Sequence, residues 1–257
     1  MDANRQWLRR QAFWLIVGAA GLLAIFENTQ LDVLLEMPFY DPALRDFPLR
    51  NHWLLSDVMH HGLKTLSYAL GIVSIGFCLY AMRGKVGWLP PRHAALVAVG
   101  MLLIPVLISS LKHVTNRHCP WDVLEFGGFA PYVGLLAPNP PGITRGLCFP
   151  AGHAAAGLAW LVWGFALMGL NRRWSNVALL AGLSFGAILG FGRMLQGAHF
   201  LSHTLWSIWF AWGLCVLLMF ALRVPVQLAS ALPTTSATSG DSPSVEATRS
   251  SAARIDT

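Results

Sequence analysis

The sequence predicts an all-α fold: a polytopic membrane protein with six transmembrane helices and an extracytoplasmic cap loop. Three observations predict it. Of the 257 residues, 55% are hydrophobic and 12% charged, where a soluble domain carries about 25% charged residues. Six apolar runs, roughly 12–26, 62–82, 94–111, 150–170, 177–191 and 204–222, punctuate the chain. The links between them alternate between basic and mixed character, as the two faces of a bilayer demand. The formal charge of +6 does not indicate a nucleic-acid partner, because the cations lie between hydrophobic runs, where membrane orientation accounts for them. The expected partner is the lipid bilayer.

A spanning helix needs about 20 residues. The first and fifth runs fall short, so their helices extend into the flanks, with Trp7 and Trp174 marking interfacial ends. Arg5, Arg9 and Arg10 precede the first run and no convincing small-residue cleavage site follows it, which makes it a retained helix. Arg83, Lys85 and Arg92 fill the second link, Arg172 and Arg173 the fourth, and Arg223 follows the last run. With Arg249 and Arg254, 11 of the 18 Lys and Arg fall on that side. The positive-inside rule makes it cytoplasmic, with both termini inside and the chain in the inner (plasma) membrane.

The opposite, periplasmic side carries two long loops, 27–61 and 112–149, and a short turn around 193–203. The second long loop holds Trp121, Phe126, Phe129 and Tyr132 and is too aromatic for disorder. It reads as a folded cap at the membrane surface, serving either selection or interfacial anchoring. Residues 1–222 form the membrane domain. Residues 223–257, rich in Ser, Thr, Ala and Pro, read as a disordered cytoplasmic tail.

Eight of the nine histidines fall on the outer side, and only His93 is cytoplasmic. Taken singly, His52, His60, His61, His113 and His118 read as ordinary polar loop residues. His153, His199 and His203 lie at outer helix ends, where burying an ionisable group needs a reason. Lys112 and Arg193 end the third and fifth runs at the same level. Each alone reads as a snorkelling cation. Together with the histidines they describe a site for an anion with several oxygens, such as phosphate. Haem ligands would lie deep in facing helices, often in two layers, so no cofactor is expected.

The order along the chain sharpens this reading. "KHVTNRHCP" (112–120) is followed by "CFPAGH" (148–153) and "GRMLQGAHFLSH" (192–203). The series resembles the tripartite signature of the type 2 phosphatidic acid phosphatase superfamily: Lys, six residues, Arg-Pro; then Pro-Ser-Gly-His; then Ser-Arg, five residues, His, three residues, Asp. Here Lys112 leads after six residues to Cys119-Pro120, Pro150-Ala151-Gly152-His153 stands as the second motif, and Gly192-Arg193 leads to His199 and His203. The resemblance covers about residues 94–222. Four polar positions differ: Cys119 for Arg, Ala151 for Ser, Gly192 for Ser and His203 for Asp. Arg117 and Arg145 are the candidates to replace the missing Arg.

The resemblance implies an integral membrane phosphatase that hydrolyses the phosphate of a membrane lipid at the outer face, through a phosphohistidine and without a metal. It makes His199 the nucleophile and His153 the general acid. Lys112, Arg193 and Arg117 would hold the phosphate, and Gly152 would let backbone approach it. His203, four residues after His199, would face the same way on a helix and accept its hydrogen bond. Phosphatidic acid, phosphatidylglycerol phosphate, a polyprenyl diphosphate and lipid A are all eligible substrates. A lipid phosphotransferase, and a catalytically inactive lipid-binding or transport protein on the same scaffold, are the alternatives. Cys119 and Cys148, at either end of the second loop, are either a disulfide or two free thiols.

The orientation has a direct check. In intact cells, single cysteines placed near Arg83 and Arg172 are expected to resist an impermeant thiol reagent, and one near Pro131 to react. Labelling beside Arg172 from outside would reverse the topology.

Overall fold

The computed structural model describes residues 2–138 and 140–226. Among them there is no strand, only isolated bridges such as Arg117–Leu147 and Val123–Ala130. The α-helices are α1 (Asp2–Asn28), α2 (Leu31–Glu36), α3 (Lys64–Tyr80), α4 (Pro91–Leu111), α5 (Gly152–Leu158), α6 (Leu161–Leu167), α7 (Arg172–Met194) and α8 (Leu201–Ala221). A π-helical stretch, Leu54–Leu63, leads into α3 without interruption. Helices α1, α3 with this lead-in, α4, α7 and α8 are long and apolar enough to cross a membrane. The first and fifth apolar runs do extend into their flanks: α1 has 27 residues and α7 has 23. Asn171 starts α7 by accepting a hydrogen bond from the Trp174 N–H, 3.2 Å.

The fourth run does not form one helix. It is divided at Ala159–Trp160 into α5 and α6. Short-range bonds there, Trp160 N–H to Gly157 O and Trp163 N–H to Trp160 O, tighten the chain into a turn. The turn lets the Trp160 and Trp163 indoles donate to Ser67 and Ser74 on α3, 2.8 and 2.9 Å. Satisfying an indole N–H matters where no water is present to do it. The α5–α6 rod is the centre of the bundle, packed on α4, α7 and α8 along its length and on α3 through α5. Ala154, Ala156, Leu158, Leu161, Val162 and Phe165 are fully buried. Its approach to α7 needs glycine: a Cβ on Gly157 would stand 2.4 Å from the Gly186 nitrogen. Helix α1 lies outside on α8, joined by the Trp209 indole to Leu15 O and the Trp212 indole to Gln11. Phe13, Ile16, Ile72, Leu180 and Phe220 face outward, as lipid-facing positions do.

At one end the 29–53 and 112–151 segments pack on each other through a second core of Val33, Phe47, Val123, Phe126 and Phe200. Three of the loop aromatics therefore serve packing: Phe126 in this core, with Trp121 and Tyr132 against it, while Phe129 stays exposed. Residues 227–257, most of the expected tail, lie outside the described residues. Residues 223–226 still pack on the bundle, with Val224 buried and the Val226 N–H donating to Asn4, 2.7 Å.

Helix α8 has no N-terminal side-chain cap of its own. Asp32 supplies one from α2, accepting from the Ser202 N–H at 2.9 Å, from the Ser202 hydroxyl, and from the Tyr132 hydroxyl at 3.3 Å. Burial pushes the Asp32 carboxyl up to about 6, against the lowering effect of these bonds. Glu36, one turn on, is fully buried with both oxygens unpartnered. Burial and then the Asp32 charge push it up to about 9. A carboxyl raised this way stabilises the fold fully below its unfolded value and progressively less as pH rises toward about 9. In detergent, thermal stability is expected to fall between pH 6 and 8, and Glu36→Gln to flatten that slope. An unchanged slope in the variant would show that Glu36 carries no such linkage.

Candidate active site

Lys112 ends α4, and its ammonium reaches the start of α5 across Gly152. A Cβ on Gly152 would lie 3.0 Å from the lysine Cε and 3.3 Å from Nζ, so glycine opens that path. The following residues, 115–119, run beside 146–149. The Cys148 N–H donates to Arg117 O (2.8 Å), the Gly146 N–H to the Asn116 side chain (2.7 Å), and the Thr115 hydroxyl reaches Phe149 O (2.6 Å). Cys119 and Cys148 are disulfide-bonded, with Cα atoms 5.2 Å apart. His153 follows on the first turn of α5. The Ala151 N–H donates to His203 O at 3.1 Å, which ties this turn to α8.

Arg193 lies in the last turn of α7. Its guanidinium donates to Gln196 (2.7 Å) and lies 5.7 Å from the centre of the Trp121 ring, which Arg50 also approaches at 4.6 Å. Gln196 is buried and is itself held by Arg50 O and the Ser56 hydroxyl. Gly197, at φ 69°, reverses the chain after α7, and a Cβ there would meet the Phe47 ring at 2.3 Å. His199 lies in this link, ahead of α8, and not on a helix with His203. The two rings meet edge to face with centres 5.7 Å apart, and both Nδ1 atoms are buried without a partner. The expected His199–His203 hydrogen bond is not formed: the Gly197 turn removes the helical spacing on which it depended. His203 packs instead between Phe149 and Phe200.

The imidazoles form a row. His61 and His60 have centres 4.4 Å apart, His60 and His153 4.1 Å, His153 and His199 6.1 Å, and His199 and His203 5.7 Å. The row runs from the exposed His61 to the buried His199 and His203. A pocket lined by Leu55, His60, Lys64, His153, Gly192 and Arg193 opens on it. Burial, then Arg193 and Lys64, push the Lys112 ammonium down to about 8, so three cations converge here. The one ion pair among the described residues, Arg50–Asp46, involves none of them. His199 is held well below its ordinary range by burial first and then by the Lys112 charge, which keeps its imidazole neutral. The arrangement is a concave, cationic site with free-base imidazoles, suited to an oxyanion and to nucleophilic or acid–base chemistry.

Not every expected residue reaches it. Arg117 is turned toward the loop, donating to the carbonyl groups of Leu135 and Ala137. Burial lowers its guanidinium. Arg145 donates to His113 O at the surface. Neither fills the place of the arginine absent at Cys119. Two residues that the sequence reading passed over do enter: His60, read as a loop residue, and Lys64. Their signal was an i, i+4 pair of basic side chains at the start of an apolar run, the position where two ionisable groups share one helix face.

A model of the PAP2 superfamily matches residues 93–224, just over half of the chain. Among solved structures, the chain is similar to the first transmembrane PAP2 type phosphatidylglycerolphosphate phosphatase from Bacillus subtilis. That likeness has 15% identity over 84% of this chain and 94% of that one, with a TM-score of 0.47. No curated protein sequence matches.

The disulfide joins the segment after Lys112 to the segment before His153 across 29 positions. Peptides mapped without reduction are expected to contain the Cys119–Cys148 link. Replacing both by Ser should cost about 3–4 kcal/mol of stability on the loop-entropy estimate. Two freely alkylated thiols would remove the bond.

Proposed function

The chain belongs to the PAP2 superfamily, and on that premise we propose that it is a membrane phosphatase that hydrolyses the phosphate of a lipid at the outer face of the membrane. The observation that carries the reading is a pocket lined by Lys64, His153 and Arg193 and free of carboxylates, with the Lys112 ammonium beside Gly152 and the His199 ring 6.1 Å from that of His153. In the proposed mechanism the neutral His199 attacks phosphorus and the bond from phosphorus to the lipid oxygen breaks. His153, protonated in the complex with the anionic substrate, gives that oxygen its proton and becomes neutral. Water then attacks the phosphohistidine, the P–N bond breaks, His153 takes the water proton, and inorganic phosphate leaves. Splitting one displacement into two lowers each barrier. The three cations stabilise charge on the equatorial oxygens, the main task in phosphoryl transfer. Arg117 has the role of a clasp that fixes the 135–137 backbone rather than a phosphate ligand.

A lipid substrate is supported by what lies beside the pocket. An apolar groove with room for about 930 Å³, lined by Leu63, Leu66, Trp160, Trp163, Ala181 and Phe185, runs along α3, α6 and α7 just below His60 and Lys64. A headgroup in the pocket leaves its chains there, with the indole N–H groups already satisfied by serines. The cytoplasmic termini, the periplasmic site and the inner-membrane location are part of the same proposal, from the distribution of Lys and Arg.

The test is phosphate release from mixed micelles across phosphatidic acid, phosphatidylglycerol phosphate, polyprenyl diphosphate and lipid A. His199→Ala is expected to abolish turnover in folded protein, and an acid-labile phosphoenzyme to be trapped in the parent. His153→Ala should lose about 10²–10⁴-fold. Parental activity in His199→Ala would sink the mechanism. Labelled phospholipid without free phosphate would identify a phosphotransferase, and lipid binding without turnover an inactive scaffold.

A further inference from the structure

His60 lies outside all three motifs, yet its Nε2 is 2.7 Å from the Nε2 of His153, within hydrogen-bonding distance. We propose that His60 is a positioning residue that holds the ring of His153 and sets which of its nitrogens carries the proton. The inference rests on the phosphatase reading above.

A hydrogen bond between two neutral imidazoles needs one N–H and one bare nitrogen. When His60 donates, the proton of His153 is on Nδ1, the atom that is buried and without a protein partner. Once a bound anion has brought the pair one extra proton, that nitrogen gives its proton to the leaving oxygen as Nε2 takes the proton of His60, so both rings end neutral, and the His60 bond holds the ring as the third member of a triad holds its histidine. The two half-reactions also require His153 to lose a proton and later regain one. His60 is half-buried and His61 exposed, and their rings touch with centres 4.4 Å apart. Proton balance closes without a further reactant: the proton that His153 gives to the leaving oxygen is replaced by the one it takes from the water that attacks the phosphohistidine.

The charged groups facing His60 are all positive or titratable bases. His61 and Lys64 come from its own helix, Arg193 from α7, His153 from α5, and Lys112, which faces His153, from the end of α4. No carboxylate is among them, and Asp57, on the same π-helical stretch, is exposed, so the base within hydrogen-bonding distance of His153 is His60. The bland alternative is that His60 is a polar residue filling space at the mouth of the pocket. It predicts lost folding or weaker substrate binding, with the pH dependence unchanged.

The test uses the full-length protein in mixed micelles with a lipid phosphate that the parent hydrolyses. His60→Gln and His60→Asn keep a hydrogen-bonding side chain but no titratable ring. Each is expected to leave KM within about twofold and to lower kcat by at least about tenfold, less than removal of the acid itself. The limbs of the pH–kcat profile, which in the parent belong to the coupled pair, should move. In His60→Ala, added imidazole should restore a measurable part of kcat. A parental kcat and pH profile in both amide variants, or a lowered kcat with an unmoved profile and no imidazole rescue, overturns the inference and leaves the phosphatase reading intact. A parent that releases no phosphate from any lipid overturns both.

Discussion

Positive charge gathered without a counter-charge is the constraint around which this protein is organised. Lys64 and Arg193 line one pocket from two helices, Lys112 feels both their charges from the end of a third, and no carboxylate lines the pocket. Like charges brought out of water repel and lose hydration at once, so the arrangement exists only because a rigid scaffold imposes it. The cost is visible in the lowered Lys112 and in the neutral His199. An oxyanion that enters offsets that repulsion, and its negative charge makes a protonated imidazole tolerable beside it. The site is thus disposed toward anion binding and toward free-base histidine together.

The scaffold is rigid where it must be because each contributing helix end is tied to another. The first and second motif segments run side by side and are joined by the disulfide. The second and third are joined through the Ala151 N–H and His203 O. The link carrying His199 is anchored by the Gly197 turn, by the Trp121 N–H on Gly197 O, and by buried Gln196. Asp32 reaches from α2 to cap α8, so even the loop most distant in sequence helps to set the helix on which His203 lies. Arg117 closes the layer from within, donating to the Leu135 and Ala137 carbonyl groups.

The four departures from the family pattern are accommodated differently. The turn at Ala151 is held by its own N–H on His203 O and by the Ser207 hydroxyl, which donates to the Ala151 carbonyl at 3.2 Å. Cys119 gives a covalent tie in place of an arginine, and Lys64 brings a cation from another helix. Gly192 faces Met59 and Leu55, where a Cβ would stand 2.7 Å from the methionine Cε, so its smallness serves packing of the π-helical stretch against α7. His203 is the departure with no direct substitute: it neither bonds His199 nor brings negative charge.

The sequence by itself determined the helical membrane class, the order of the apolar helices, the common level of Lys112, His153, Arg193 and His199, and the family. These depend on local quantities, hydropathy over about 20 residues and short spacings within a motif, which neighbouring residues alone define. Only the tertiary structure decided that the fourth apolar run is broken at Ala159–Trp160, that Arg117 faces the loop, that His199 precedes its helix, and that His60 and Lys64 belong to the pocket. Each of those depends on a partner far away in sequence: Ser67 for the Trp160 indole, the Leu135 and Ala137 carbonyls for Arg117, Phe47 against Gly197, and His153 for His60. A side chain's direction is set by the atom that satisfies it, and in a bundle whose interior excludes water that atom lies on whichever helix happens to pack there.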